Sequence, residues 1–385
     1  MYSLLLVILY MAFISLGLGD SLLGSAWPAM HEQLGSPVTH AGIISMTIAA
    51  GMVTSNLLAD RLAKKFGARL LAIFSVSLSA LSLFGFSLAG SFFFVWLWAF
   101  PYGLGGGALD AGINNYVAAN YKSRHMNWLH CFWGVGAMTG PAIMGFYLTG
   151  GFEWSAGYRT VAFIQMGFVL VLILSLPLWK KQAGGEPVAA PVKPFSEILK
   201  LKGVKFVLPA FFAYCAIEAT TGLWASTYLV SHRGISPEAA AAFTSLFFIG
   251  ITAGRFLSGF VSVAMGNKKM IKTGIFFIFA GIAGLWLPVQ TNVLGFAGLI
   301  VIGLGCAPIF PAIIHSTAEN FGKENSQALV GLQIASANTG IALMPPLFGL
   351  LAGFAGAGVL PAFLALFAVL LLVMTVALNR ATRPA

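Results

Sequence analysis

The feature that most restricts the fold of this chain is a succession of long apolar segments joined by short loops. Of its 385 residues, 58% are hydrophobic and 8% are charged, whereas a soluble domain carries about 25% charged residues. A helix that crosses a lipid bilayer needs about 20 mostly apolar residues. The sequence therefore predicts an all-α membrane protein with twelve transmembrane helices. The predicted segments are 4–28, 39–60, 68–89, 92–119, 127–150, 158–179, 205–231, 238–264, 271–288, 293–319, 327–352 and 358–379.

Composition and motifs exclude several other classes of protein. The formal net charge is +10, but the basic residues lie in the predicted loops and form no single basic face, so no nucleic-acid partner is expected. Cys131, Cys215 and Cys306 lie in apolar runs without metal-ligand spacing, so neither a metal nor a redox role is expected. The chain has no HExxH or GxSxG motif, and His130 and Cys131 are helix neighbours that point about 100° apart. We therefore predict no enzymatic activity and no cofactor.

Lysine and arginine are concentrated in alternate loops, which indicates how the chain is oriented. One set of loops carries nearly all of them, and the other set carries only Arg159 and Arg233. The positive-inside rule then places the basic loops, both termini and the long central loop in the cytoplasm. The first apolar segment lacks the basic region of a cleaved signal peptide, so we interpret it as the first spanning helix. Short outer loops without an Asn-x-Ser/Thr sequence favour a bacterial cytoplasmic (inner) membrane.

The long central loop divides the chain into two predicted six-helix bundles, residues 1–180 and residues 205–385. The loop itself, residues 181–204, contains a pair of glycines and three prolines, followed by a short amphipathic piece at residues 195–200. This composition predicts a linker that carries a small helix on the membrane surface.

The two bundles also repeat one another in sequence. Blocks of residues recur in the same order at nearly constant offsets, which chance matches among glycines do not produce. Transporters built from two such repeats bind their substrate near the membrane midplane, between the halves. The matched blocks are Asp20 and Gly24 with Glu218 and Gly222; Gly51, Gly67 and Arg69 with Gly250, Gly266 and Lys268; Gly103-Leu104-Gly105 with Gly303-Leu304-Gly305; and Gly136, Pro141 and Gly145 with Gly340, Pro345 and Gly349.

A charged cluster follows the second apolar segment. Asp60 and Arg61 begin it, and further basic residues follow up to Arg69. Together with the number of spans and the repeat, this cluster resembles the major facilitator superfamily. That family carries a Gly-x-x-x-Asp-Arg-x-Gly-x-Arg type of signature between its second and third helices, and Asn56 and Ala63 stand here at the two glycine positions. The resemblance implies two pseudo-symmetric six-helix bundles that transport a solute.

The same resemblance implies a gating function for the cluster. The carboxylate of Asp60 would brace the end of a helix, and Arg61 and Arg69 would belong to the same brace; breaking it would favour the opposite conformation. A solvated basic loop is the alternative interpretation. Arg255, in the eighth apolar segment, is assigned to the same predicted gating group.

Three acidic residues lie inside apolar segments: Asp20, Asp110 and Glu218. A charged side chain at the bilayer centre costs about 2.5–3.5 kcal/mol on insertion scales, so such residues usually face a cavity and mark an ion or substrate path. Desolvation disfavours the charged form of a carboxyl group, which lets it hold a proton and release it when a cavity opens. We therefore predict that these acids couple transport to a proton. A structural acid that packs helices together is the alternative, above all for Glu218.

Polar and aromatic side chains near the acids predict a substrate site. Asn114 lies four residues after Asp110 and therefore shares its helix face. Sugars need planar acceptors for their hydroxyl groups and aromatic faces for their C–H surfaces. Asparagines and tryptophans in membrane proteins also serve helix packing, so both interpretations stay open. The predicted substrate-binding residues are Trp27, Asn114, Asn127, His130, Trp133, Trp224, Gln333 and Asn338.

The pattern on the fourth and fifth segments, residues 109–115 and 127–134, is similar to the fucose permease branch of the superfamily. In that branch an acid on the first helix and an acid on the fourth serve sugar binding and proton coupling, and these roles map onto Asp20 and Asp110. The permeases have glutamate at the second position, and other polar residues at the positions of His130 and Trp133. The resemblance implies a monomeric proton–monosaccharide symporter whose partners are a small-molecule substrate and the lipid bilayer.

A drug–proton or metabolite–proton antiporter is the rival interpretation. The fifth segment contains Gly136, Gly140 and Pro141, which form the second half of a glycine–proline signature seen in exporters of the superfamily. The upstream glycine of that signature is replaced by Asn127, and its closing glycine pair is missing. Exporters of hydrophobic drugs also tend to have apolar cavities, whereas the residues predicted here are polar.

Overall fold

The computed structural model describes residues 2–121, 123–179, 195–287 and 292–382, and these residues are almost entirely α-helical. They form fifteen α-helices and two short 3₁₀ turns, Leu176–Leu178 and Ala357–Val359. The α-helices are α1 (Tyr2–Asp20), α2 (Leu22–Gln33), α3 (His40–Phe66), α4 (Ala68–Ser87), α5 (Phe92–Asn120), α6 (Ser123–Thr149), α7 (Trp154–Leu174), α8 (Phe195–Ile198), α9 (Val204–Arg233), α10 (Pro237–Met265), α11 (Asn267–Trp286), α12 (Val293–Cys306), α13 (Ile309–Phe321), α14 (Lys323–Ala355) and α15 (Leu360–Ala381).

Twelve helical stretches among the described residues are long and apolar enough to cross a membrane, which confirms the predicted number. Two of them are interrupted helices. The first span joins α1 to α2, and the tenth joins α12 to α13. Both interruptions lie within apolar sequence, so hydropathy alone does not reveal them.

Several helices run further than the apolar segments, because single glycines make the connections between them. Gly67 alone separates α3 from α4, with a φ of 80°, and Gly266 separates α10 from α11, with a φ of 71°. Only glycine adopts such positive φ values without strain. The charged cluster that starts at Asp60 therefore belongs to the helical end of α3 and the start of α4, and is not a loop.

Close helix packing repeats in the two halves, as the sequence repeat predicts. In the first half, a side chain on Gly103 of α5 would collide with the backbone of Ile48 on α3. In the second half, a side chain on Gly303 of α12 would collide with the backbone of Phe247 on α10. The corresponding residues are 200 and 199 positions apart, so the same glycine allows the same helix pair to approach in both halves.

A second pair of contacts follows the same rule. Gly136 of α6 lies against the backbone of Ile14 on α1, and Gly340 of α14 lies against the backbone of Phe212 on α9. The two pseudo-symmetric bundles predicted from the sequence are thus confirmed. The packing of Gly136 also gives the glycines of the exporter-like segment a structural use.

Substitution of Gly103 by valine is expected to destabilise the whole protein. The valine side chain would have to displace the backbone of α3, and overpacking of this kind costs about 1–3 kcal/mol. The melting temperature of the purified variant, followed by intrinsic fluorescence, measures the effect. Gly167→Val on α7 is the matched control, because no neighbouring atom lies within 4 Å of the added Cβ. Equal melting temperatures for the two variants would contradict this packing.

The two halves contact each other at one end of the bundle. There α6 lies against α10, α3 against α14 and α2 against α9. A side chain on Gly24 of α2 would collide with the backbone of Gly222 on α9, and one on Gly42 of α3 with the backbone of Pro346 on α14. These contacts lie beside the loops at 34–39 and 234–236. The bundle is therefore closed on the side that carries few basic residues.

The predicted linker lies only partly within the described residues. Residues 180–194 are outside them, so the division into 1–180, 181–204 and 205–385 stays a prediction. The amphipathic piece predicted at 195–200 corresponds to α8. On this short helix Ile198 is buried and Glu197 is exposed, which agrees with one apolar and one polar face.

Candidate functional site

A cavity of about 480 Å³ lies between the two halves. Its closed end is lined by Gly24, Gly222 and Leu223, where α2 meets α9. Its other end reaches Ser262 and Asn267 at the junction of α10 and α11, on the side of the basic loops. Pockets for small molecules usually measure about 300–1,000 Å³, so this cavity has the size of a small-molecule site.

All three intramembrane acids, Asp20, Asp110 and Glu218, line this cavity. Asp20 ends α1 and is exposed to the cavity. Its carboxylate accepts two hydrogen bonds, one at 2.9 Å from the hydroxyl of Tyr102 on α5 and one at 2.9 Å from the indole N–H of Trp133 on α6. These two donors hold the Asp20 carboxylate in a fixed orientation.

Asp110 is supported by its own helix. Its Oδ1 accepts a hydrogen bond of 2.9 Å from the Nδ2 of Asn114, one turn further along α5. Asn114 does not line the cavity, and its Oδ1 is buried without a hydrogen-bond partner. The predicted pairing of Asp110 with Asn114 on one helix face is therefore present. In this conformation Asn114 positions Asp110 and is not itself available to a substrate in the cavity.

Glu218 forms an ion pair with Arg255 across the second half. The Arg255 Nη2 lies 3.6 Å from the Glu218 Oε1, and the hydroxyl of Tyr214 donates a hydrogen bond to the other carboxylate oxygen. Arg255 also donates from Nη1 to the backbone carbonyl of His130 at 3.2 Å, and its guanidinium lies 5.1 Å from the ring centre of Trp133. Arg255 thus connects the second half of the protein to α6 of the first.

These side-chain contacts form one continuous polar network across the cavity. It runs from Asp20 through Trp133 and Arg255 to Glu218. Asp20 and Glu218 are equivalent residues of the sequence repeat, so each half supplies the acid at one end of this network. A movement of the two halves relative to each other must therefore change the contact between Trp133 and Arg255.

Beyond this polar network, the two halves contribute chemically different side chains to the cavity wall. Phe310 and Ile334, the repeat equivalents of Asp110 and His130, also line the cavity. The His130 ring lies edge-on to Phe13, with ring centres 5.6 Å apart. The first half therefore supplies an additional acid and an imidazole, and the second half supplies apolar surface at the same positions.

Three of the predicted substrate-binding residues are buried between helices, away from the cavity. Trp27 and Trp224 are fully buried at the closed end, where their indole N–H groups donate to the backbone carbonyls of Val38 and Pro345 at 2.8 Å and 2.9 Å. Gln333 is also fully buried, and its Oε1 accepts a hydrogen bond from the hydroxyl of Thr317. None of the three lines the cavity. In this conformation they pack helices together and do not offer substrate contacts, because α2, α3, α9, α13 and α14 enclose them.

The remaining predicted residues divide between the cavity and the end of α3. Asn338 lines the cavity, and so does Arg255, which was predicted to be a gating residue. Arg61 and Arg69 are exposed at the end of α3 and the start of α4. The side chains of Asp60 and Asn127 lie outside the described part of the structure, so the brace and the contact predicted for them stay predictions.

Sequence reasoning missed the two tyrosines that bind the acids. Tyr214 stands four residues before Glu218 on the same helix, so the spacing of one helical turn carries a signal for their pairing. Tyr102 reaches Asp20 from another helix, and no local spacing predicts that contact. Both residues line the cavity and add phenol groups to its polar surface.

Known proteins resemble this chain in both of its halves. Residues 9–293 and 207–385 match the family model described as Major Facilitator Superfamily. The hexuronate transporter of Bacillus subtilis (strain 168) is 28% identical over 94% of this chain and 92% of its own length. The glucose/mannose transporter of the same organism is 24% identical over 88% of this chain and 86% of its own length.

Solved structures share the fold at low sequence identity. The crystal structure of the nucleoside transporter NupG superposes with a TM-score of 0.79, at 16% identity, over 98% of this chain and 99% of that chain. A bacterial homolog of the human lysosomal transporter Spinster gives a TM-score of 0.74, at 14% identity, over 99% of this chain and 97% of that chain. These similarities extend over the complete set of spans in both halves.

Proposed function

The chain belongs to the major facilitator superfamily, and from this premise we propose that it carries a monosaccharide across the membrane together with a proton. The chain is a membrane transporter for a small molecule and not an enzyme. The observation that carries the proposal is the cavity of about 480 Å³, in which carboxyl and phenol groups of both halves and the indole of Trp133 face the same space.

The chemistry of the wall fits a sugar. Carboxylates such as Asp20 and Asp110 accept hydrogen bonds from hydroxyl groups, and the indole of Trp133 offers an apolar face for C–H surfaces. Two relatives that match this chain over most of their length are named for a hexuronate and for glucose and mannose, which supports a substrate of monosaccharide size. The likeness of Asp20 and Asp110 to the two acids of the fucose permease branch supports the same substrate class.

Proton coupling is assigned to the acids on the cavity wall. A carboxyl group that loses contact with water binds a proton more readily, because desolvation disfavours its charged form. Asp110 receives one side-chain hydrogen bond and Asp20 receives two. We therefore assign proton exchange first to Asp110, and assign to Asp20 and Glu218 the links between proton, substrate and the two halves.

Orientation follows from the basic loops. If these loops lie in the cytoplasm, the structure is closed outward at the contact of α2 with α9 and its cavity opens inward. Alternating access would then break the contacts of α2 with α9, α3 with α14 and α6 with α10, and close the bundle at the ends near Arg61 and Arg69. The proposed location is a bacterial cytoplasmic membrane, with both termini inside and a monomer as the working unit.

Efflux by antiport was the rival prediction from α6. In the structure Gly136 and Gly140 lie against the backbone of α1, so helix packing explains these glycines without an exporter function. The cavity wall also carries three acids, one arginine and two tyrosines that bond to the acids. We therefore propose uptake by symport and not efflux by antiport.

Exchange in proteoliposomes tests the substrate class. Vesicles that contain only this protein are loaded with one unlabelled monosaccharide, and entry of the same labelled sugar is followed without any ion gradient. The panel contains hexoses, deoxyhexoses, polyols and hexuronates, and protein-free vesicles are the control. We expect exchange of at least one monosaccharide. Exchange of none of them, in a preparation that is folded and monodisperse, would contradict the proposal.

A further inference from the structure

The charge arrangement around Arg255 carries one inference about the substrate. Arg255 is the only lysine or arginine among the described residues that line the cavity. Three acids share this cavity with it, and one of them, Glu218, is its partner at 3.6 Å. A guanidinium binds a carboxylate through two parallel hydrogen bonds more strongly than it binds a neutral hydroxyl group, so a fixed positive charge on this wall favours an anionic substrate.

The contacts of Arg255 leave room for a further anion. A guanidinium group carries five N–H donors, and the ion pair with Glu218 is longer than the 2.7–2.9 Å of a close charge-assisted hydrogen bond. One donor reaches the backbone carbonyl of His130 at 3.2 Å. The Arg255 side chain is 15% exposed, and this exposed part faces the cavity. An arriving carboxylate can therefore reach the guanidinium from the cavity side.

Glu218 can be released without losing all of its support. Its second carboxylate oxygen accepts a hydrogen bond from Tyr214 on the same helix, and this contact does not depend on Arg255. A buried carboxylate that loses its cation is strongly disfavoured as a charged group. The total charge of the site stays the same when one carboxylate and one proton enter together, so the entering proton offsets the added negative charge.

From these contacts we infer that the transported sugar is a sugar acid whose carboxylate binds Arg255 in place of Glu218. This inference rests on the proposed function and narrows its substrate class. The hydroxyl groups of the sugar then face the acids of the first half, Asp20 and Asp110. Glu218 keeps its hydrogen bond from Tyr214 while the substrate occupies Arg255, and the ion pair with Arg255 re-forms when the substrate has left.

The surroundings of Glu218 agree with this exchange. On its own helix it faces Tyr214 and Cys215, from α10 it faces Arg255, and Cys306 of α12 lies within electrostatic range. Across the cavity lie Asp20, Asp110 and His130 of the first half, and His315 lies on the wall formed by α13. Arg255 is the one group of this set with a fixed positive charge, so it is the group that a carboxylate in the cavity would bind.

The test compares two sugars that differ only at C6. Binding of D-glucuronate and of D-glucose to the purified protein in lipid nanodiscs is measured by titration calorimetry. The wild type is expected to bind glucuronate more tightly than glucose, with an affinity that falls as the pH rises, because binding takes up a proton. In the double variant Arg255→Gln/Glu218→Gln, glucuronate binding is expected to weaken about tenfold to a hundredfold, so that the preference for glucuronate over glucose is lost.

The double variant removes both charges of the pair, so it leaves no buried ion without a partner, and its melting temperature serves as the folding control. Glu218→Gln alone is expected to bind glucuronate as tightly as the wild type or more so, because glutamine carries no charge with which to compete for Arg255. Equal glucuronate affinity in the wild type and the double variant would overturn the inference. A hexose that exchanges in proteoliposomes while glucuronate neither binds nor exchanges would also overturn it, and would leave the proposed function intact.

Discussion

Replacing Asp110 with asparagine is expected to abolish accumulation of the substrate against its gradient, while exchange of substrate across the membrane continues in part. Asparagine has the size and shape of aspartate and can still accept the hydrogen bond from Asn114 through its carbonyl oxygen. It cannot bind and release a proton. The substrate therefore still reaches its site, but the proton gradient no longer drives its movement.

The expected effect is large because coupling sets the final concentration ratio. A gradient of one pH unit corresponds to about 1.4 kcal/mol per proton, which supports about tenfold accumulation for each proton carried. Without coupling the ratio returns to one. Uptake of labelled substrate into energised vesicles and exchange at equilibrium are measured side by side in the same preparation.

Glu153→Gln is the matched control for this substitution. Glu153 is an exposed acid at the start of α7 that does not line the cavity, and the same change of carboxylate to amide is expected to leave accumulation unaltered. Normal accumulation in Asp110→Asn would remove Asp110 from the coupling role. Loss of both accumulation and exchange would assign it to substrate binding or folding instead.

Replacing Gly24 with valine is expected to shift the protein away from the conformation described here. A side chain at this position collides with the backbone of Gly222 and Leu223, which belong to the other half of the molecule. Overpacking costs about 1–3 kcal/mol, and each 1.4 kcal/mol changes an equilibrium tenfold. Because the collision exists only where α2 meets α9, the variant should favour the state in which this end is open.

Spin labels placed on both halves measure this shift directly. Residues 32 and 231 are exposed at the closed end of α2 and α9, and the three native cysteines are first replaced by serine. The distance distribution between labels at these positions is expected to move to longer values in Gly24→Val. Gly167→Val, which adds the same side chain where no atom lies within 4 Å, should leave it unchanged. Identical distributions in both variants would contradict the assignment of α2 and α9 as the closing contact.

The fold was predictable from this sequence because lipid imposes strong and simple rules on a chain. Apolar segments of sufficient length predicted all twelve spans, and the glycine blocks predicted which helix pairs approach closely in both halves. The break at Ser21 was not predicted, since it lies inside an apolar segment. The break between α12 and α13 was also missed, although Pro308 stands at it and proline interrupts helices. The extension of α3 to Phe66 was also missed, because a charged cluster resembles a loop until the glycine connection is known.

The candidate site was only partly predictable. An acid inside an apolar segment is a clear sequence signal, because a charge in the bilayer costs free energy. Asp20, Asp110 and Glu218 all line the cavity. Tryptophans carry no such signal: Trp133 lies on the cavity wall, whereas Trp27 and Trp224 are buried between helices. Their difference depends on how the two halves meet, which no local pattern encodes.

The pairing of Arg255 with Glu218 illustrates the same limit. The two residues are 37 positions apart on neighbouring spans, and their sequence contexts give no sign of contact. The sequence analysis assigned Arg255 to the predicted gating group and did not pair it with an acid. Its position in the cavity wall follows from the packing of α10 between α6 and α12.

The central claim is that solute and proton enter together, and external pH measures this most directly. De-energised cells that express the protein are suspended in weak buffer, and hexoses, deoxyhexoses, polyols and hexuronates are added one at a time. We expect the medium to become more alkaline with at least one monosaccharide or hexuronate, and we expect this response to be lost in Asp110→Asn. No pH change with any of them, while cells with a known sugar–proton symporter respond under the same conditions, would contradict proton-coupled uptake.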